Sequence, residues 1–126
     1  MDIENQLERI RKAEEIDGKH FTEYIEEVKT LKRNGKSQDL ENLLYKLIEA
    51  TEAGDYISHW GVAPWYYEEL AKFYRRKKEY KKEVEILRRF ADNRHAPGAK
   101  PAKLLERLSR AKELLSKSEN KKNHSV

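Results

Sequence analysis

Apolar residues recur every three or four positions through nearly the whole chain, and no segment alternates as a half-buried strand would. Six helical stretches follow from this spacing. The first carries the narrow stripe Ile3, Leu7 and Ile10, expected to pack loosely, and the pair Asp17-Gly18 ends it. A second places Phe21, Tyr24, Ile25, Val28 and Leu31 on one face. In the next turn, Gly35 suits a left-handed cap and Ser37 suits a helix start. The third stripe is the strongest: Leu40, Leu43, Leu44, Leu47 and Ile48 fall at i, i+3, i+4, i+7 and i+8. A break is expected from Gly54 through Ala63, with room for the third helix to continue one turn into it. Pro64 then opens a fourth helix, where its missing amide hydrogen costs nothing. That helix offers Tyr66, Tyr67, Leu70, Phe73 and Tyr74. A polar joint at Lys77 and Lys78 leads to a fifth, with Tyr80, Val84, Leu87, Phe90 and Ala91. After the loop around Pro97 and Gly98, Pro101 starts a sixth with Leu104, Leu105, Leu108, Ala111 and Leu115.

Short connections force neighbouring helices antiparallel. The expectation is an all-α domain over 1–116, of five or six helices in antiparallel hairpins. The hairpins lie at about 20–53 and 64–92, a capping helix at 101–116, and a disordered basic tail at 117–126. Length agrees, since 126 residues suit one domain with a modest core. A shift of 43 superimposes Tyr24, Val28, Leu31, Leu44 and Leu47 on Tyr67, Ala71, Tyr74, Leu87 and Phe90, which reads as two copies of one helical hairpin.

Around Tyr67, Leu70, Ala71, Tyr74 and Tyr80 the chain resembles the tetratricopeptide repeat. Tyr24, Val28, Leu31 and Gly35 match it less closely. The resemblance covers roughly 21–91 and implies a short solenoid whose groove holds a peptide or a partner's helix. Three departures stand out. The spacing exceeds the family's 34 residues by about nine, and Leu40 and Glu83 stand where the family places a small residue. The segment 61–80 also resembles small uncharacterised bacterial and phage proteins, which implies no activity.

Composition narrows the function classes. The chain has no cysteine, so disulfides and thiolate metal sites are excluded and a reducing, cytoplasmic setting is expected. The first ten residues are polar and acidic, unlike a leader, and no apolar run approaches a membrane span. None of the four histidines stands in a metal-type helical pair, and no Gly-rich phosphate loop or nucleophile constellation is present. Hence no cofactor, no metal and no catalysis are expected.

Charge adds an asymmetry hidden by the net +4. Residues 1–74 hold 10 Lys+Arg against 16 Asp+Glu, whereas 75–126 hold 17 against 7. Such halves suit an anionic partner or self-association.

Two binding readings follow. In the first, another protein or peptide docks in an aromatic-lined groove contacted by Trp60, Trp65, Tyr67, Tyr74, Arg76 and Glu83. Glu83 shares a face with Tyr80, Leu87 and Phe90, so it must reach solvent, meet a tyrosine hydroxyl or pair with a cation such as Arg76, and a hydrogen bond from a tyrosine or arginine is expected. In the second, the basic hairpin tip grips nucleic-acid phosphates through Arg75, Lys77, Lys78, Lys81 and Lys82, with aromatics near for base stacking.

Overall fold

In a computed structural model, residues 2–124 are described. They form six α-helices: α1 (Ile3–Ala13), α2 (Ile25–Arg33), α3 (Ser37–Ser58), α4 (Pro64–Arg76), α5 (Tyr80–Asp92) and α6 (Ala99–His124). The fold is all-α apart from two-residue strands β1 (Glu15–Ile16) and β2 (Lys19–His20), which pair antiparallel. Asp17 and Gly18 do stop α1, but by forming the tip of this hairpin, both with positive φ (51° and 81°). That conformation is the one an Asp-Gly hairpin turn requires. A 3₁₀ turn over Phe21–Tyr24 then leads into α2, capped by His20 and Glu23. No described helix is long and apolar enough to cross a membrane.

The helix α4 is the axis of the molecule. It packs on α3, α5 and α6, and Tyr66 meets the Phe21 ring edge-on at 5.4 Å. Its Tyr66, Tyr67, Leu70, Ala71, Phe73 and Tyr74 are all buried. A helix enclosed on every side needs apolar residues around its circumference, and this accounts for the aromatic density of the segment. Even Glu68 and Glu69 are largely buried, each met by cations. Glu69 pairs with Lys32 (3.3 Å) and Lys72 (3.4 Å), and Glu68 with Lys100 (2.8 Å).

Two boundaries differ from the sequence reading. Gly54 does not begin a break, because α3 runs on to Ser58. At 22 residues α3 is nine longer than α5, and its last turns form the bed for α1. Gly54 fits there without displacing Glu14, whose Cγ would lie 2.5 Å from a Cβ. Helix α6 likewise passes position 116 and reaches His124. Leu104, Leu108 and Ala111 bury its first half, and from Lys117 to Lys122 its surface is exposed apart from a half-buried Ser118. Residues 117–124, read as tail, are therefore helical, and the rest of that expected tail lies outside the described residues.

Candidate functional site

The connection from α3 to α4 is the most closely held loop in the fold. Helix α3 ends on His59 in the left-handed region (φ 60°), its amide bonded to the Asp55 carbonyl at 2.8 Å. Trp60 N–H donates to Ser58 Oγ (3.1 Å) and Gly61 N–H to Asp55 Oδ1 (2.7 Å). Val62 N–H donates to the Arg94 carbonyl (2.8 Å) and Ala63 N–H to Thr51 Oγ1 (2.9 Å). Every amide from His59 to Ala63 thus has an acceptor, and Pro64 has no hydrogen to place. Two acceptors belong to the buried polar side chains Thr51 and Asp55. Arg94 locks the arrangement, with Nε on Asp55 (3.1 Å) and Nη2 on His59 Nδ1 (2.7 Å). Gly61 has a φ of 101°, and a Cβ there would stand 3.1 Å from the His95 Cα. Glycine is needed at this close approach of two backbones.

On this rigid loop the indole of Trp60 stands 67% exposed, and Tyr56, four residues earlier, is 83% exposed. A shallow depression on the Tyr56 side is lined by Glu52, Asp55, Tyr56, Asp92, Asn93 and Arg94. Trp65 is only half-buried and meets Tyr66 edge-on at 5.1 Å.

The other expected groove residues do not join this surface. Tyr67 is fully buried against Phe90, and its hydroxyl donates to Glu52 Oε2 at 2.7 Å. Glu52 also takes both arms of Arg89 (2.8 and 2.6 Å) and Asn93 (3.2 Å). Burial opposes its charge, yet the bonds from Arg89 and Tyr67 outweigh that and hold its carboxyl below the usual range. Tyr74 is buried too, with its hydroxyl on Glu41 and 2.9 Å from that of Tyr45. Both phenols are pushed up, by burial first and then by these carboxylates. These tyrosines tie α4 to α3 and leave no ring face for a partner.

Glu83 is at 0% exposure, and its expected cationic partner is one residue off. Arg75 binds it through Nε (3.0 Å) and Nη2 (2.8 Å), and Arg107 of α6 adds a third contact at 3.2 Å. Arg75 also donates to the Arg107 carbonyl at 3.3 Å. Arg76 points elsewhere, lining a hollow with Phe73 and Lys77. So Glu83 is a joint between α4, α5 and α6, and Arg75 is withdrawn from the set of free phosphate contacts.

The remaining basic residues stay outside. Lys77, Lys78, Lys81 and Lys82 are exposed around the α4–α5 turn. Lys77 and Lys82 pair with Glu79 at 3.4 and 3.3 Å. Among the described residues no group of His, Asp or Glu is arranged to hold a metal ion.

Compared with known proteins, the chain matches no family model, no curated protein and no solved structure. The sequence reading singled out Trp60, which is exposed, but not the residues that hold its loop. Thr51, Asp55 and Arg94 have no motif spacing. The available signal was a cluster of polar residues, Thr51 and Asp55, on the face of α3 that continues the Leu44–Ile48 stripe.

Proposed function

We propose that this protein is a non-catalytic protein–protein interaction module. Its contact surface is exposed Trp60, on the loop that Asp55 and Arg94 hold, together with the depression that these two residues line with Tyr56, Asp92 and Asn93. The observation that carries the reading is the clamped loop. Five amides and two buried polar side chains fix the backbone beneath one exposed tryptophan. Ordering a loop normally costs binding energy, and a loop already ordered has met that cost in folding. Tryptophan is the residue type most often found as a binding anchor, and charge at its rim suits the exclusion of water around it. The resemblance to tetratricopeptide hairpins supports the same class of function, although only by analogy of fold. The partner is another protein or peptide offering an apolar side chain to Trp60 and a polar group to the depression. Lack of cysteine suits a cytoplasmic setting.

The test compares wild type with Trp60→Ala and Lys81→Glu as tagged baits in nuclease-treated lysate. Circular dichroism confirms that each is folded. A stoichiometric partner retained by Lys81→Glu and lost by Trp60→Ala supports the reading. Equal capture by Trp60→Ala would overturn it, as would a single species that proves to be a second copy of the chain joined through other residues.

A further inference from the structure

Because α6 continues past Ser116, its last turns run alongside the α4–α5 turn and close a cleft of about 400 Å³. The α4–α5 side contributes Lys78, Tyr80, Lys81 and Lys82 to its lining, and the α6 side contributes Leu115 and Lys122. Ser118 adds a hydroxyl from the α6 side. Among the described residues, the only carboxylate in the lining is Glu79, which is already engaged by Lys77 and Lys82. No carboxylate pairs with Lys78, Lys81 or Lys122 among the described residues. Lys78 is held at the turn with a positive φ of 58°, so its placement follows from the turn itself.

We propose that this cleft binds single-stranded nucleic acid. Three uncompensated ammonium groups on two walls match a run of backbone phosphates, and the Ser118 hydroxyl can donate to a phosphate oxygen. Tyr80 is half-buried, which fixes its ring at the cleft while leaving part of it open for a base to stack on. A cationic groove with an aromatic platform is the general design for sequence-tolerant single-strand binding. The cleft is open and too small to seat a duplex or a partner helix. A purely acidic peptide such as polyglutamate would use the lysines but has no ring to stack on Tyr80. This site is separate from the Trp60 surface, so either can fail without the other.

The test is fluorescence anisotropy of a labelled fifteen-residue oligothymidylate with the full chain. Binding at 50 mM salt is expected, with log K falling against log salt at a slope of roughly −2, as about three phosphate contacts require. Lys81→Glu with Lys122→Glu, one from each wall, should weaken it at least about tenfold. Lys36→Glu with Lys46→Glu removes the same charge elsewhere and should change it less than about threefold. Tyr80→Ala should cost on the order of five- to tenfold, as loss of one stacked base does. Three results would overturn the proposal. They are no binding at 50 mM salt, equal loss in the control pair, and displacement of the oligonucleotide by polyglutamate at equal charge concentration.

Discussion

The carboxylate arm of Glu14 occupies the space that any side chain at position 54 would need. Glu14 is held there by His20: Nδ1 of the ring accepts from the Thr22 amide (3.2 Å), and Nε2 is the nitrogen that donates to Glu14 (3.0 Å). Substituting Gly54 therefore has two opposed effects. Alanine favours a helix interior over glycine by about 1 kcal/mol. Displacing Glu14 forfeits its bond to His20, about another 1 kcal/mol, and disturbs the bed of α1. The two nearly cancel, so Gly54→Ala is expected to change the wild type by less than about 1 kcal/mol and to stabilise a Glu14→Ala background by about 1 kcal/mol. Urea unfolding of the four proteins in that cycle gives the sign directly.

The Arg75–Glu83–Arg107 cluster fastens three helices at one buried point. Removing the shared carboxylate leaves two half-buried guanidinium groups facing each other. Glu83→Ala should cost about 3–5 kcal/mol, and an all-apolar replacement of the three residues should recover most of it. A full loss in the triple variant would show that the ionic contacts themselves supply stability.

Stability should fall at both ends of the pH scale, for different reasons. Burial pushes the Tyr66 phenol from 10.0 up to about 12, and Tyr67 and Tyr74 are raised as well. A raised pKa favours the neutral form in the folded protein. The contribution is complete below pH 10 and disappears as the pH rises through 12. Absorbance of ionised tyrosine should rise in two steps, the second coinciding with unfolding.

On the acid side Glu52 and Glu68 lie below the ordinary 4.5, because bonds from Arg89 and Lys100 outweigh burial. Their contribution is present above pH 4.5 and is lost as the pH falls through the lowered values. Arg89→Met raises the Glu52 pKa, so its acid transition should begin at higher pH than that of wild type.

Trp60 should respond to changes at Asp55, which accepts the Gly61 amide and the Arg94 guanidinium. In a Trp65→Phe background the remaining indole is expected to emit as a solvent-exposed tryptophan. Asp55→Ala should leave that wavelength in place but shorten the rotational correlation time of the ring. Hydrogen exchange at Gly61 should quicken in the same variant.

Ending the chain after Ser116 should leave the fold intact, because the buried Leu104, Leu108 and Ala111 all precede the cut. A midpoint of thermal unfolding within about 2–3 °C of wild type is expected, since surface changes seldom exceed 0.5 kcal/mol. A larger drop would mean that the last turns of α6 support the α4–α5 turn.

Helix identity and order were legible because the stripes are long and regular, as at Leu40–Ile48 and Leu104–Leu115. The errors fell where a local signal met a distant contact. Gly54 reads as a breaker, yet it sits inside the helix, where the side chain of Glu14, forty residues away, fills the space a Cβ would take. The polar composition after Ser116 reads as tail, yet no proline or glycine interrupts it and the helix continues. Tyr67 and Tyr74 look like groove aromatics until α5 and α3 are placed around them. Their hydroxyls end on carboxylates, so polar tips gave no sign of exposure. Glu83 was recognised as needing a partner, but only the packing of α6 supplies Arg107.

The main-chain bond from Val62 to Arg94, with Gly61 pressed on His95, joins the loops before α4 and after α5 back to back. Lengthening either loop by a single residue would pull its neighbour out of line. The turns at Gly35 and Lys78 have no such attachment. Tags, reporter insertions and inherited length variation should therefore be accepted at those two tips and refused between His59 and Ala63.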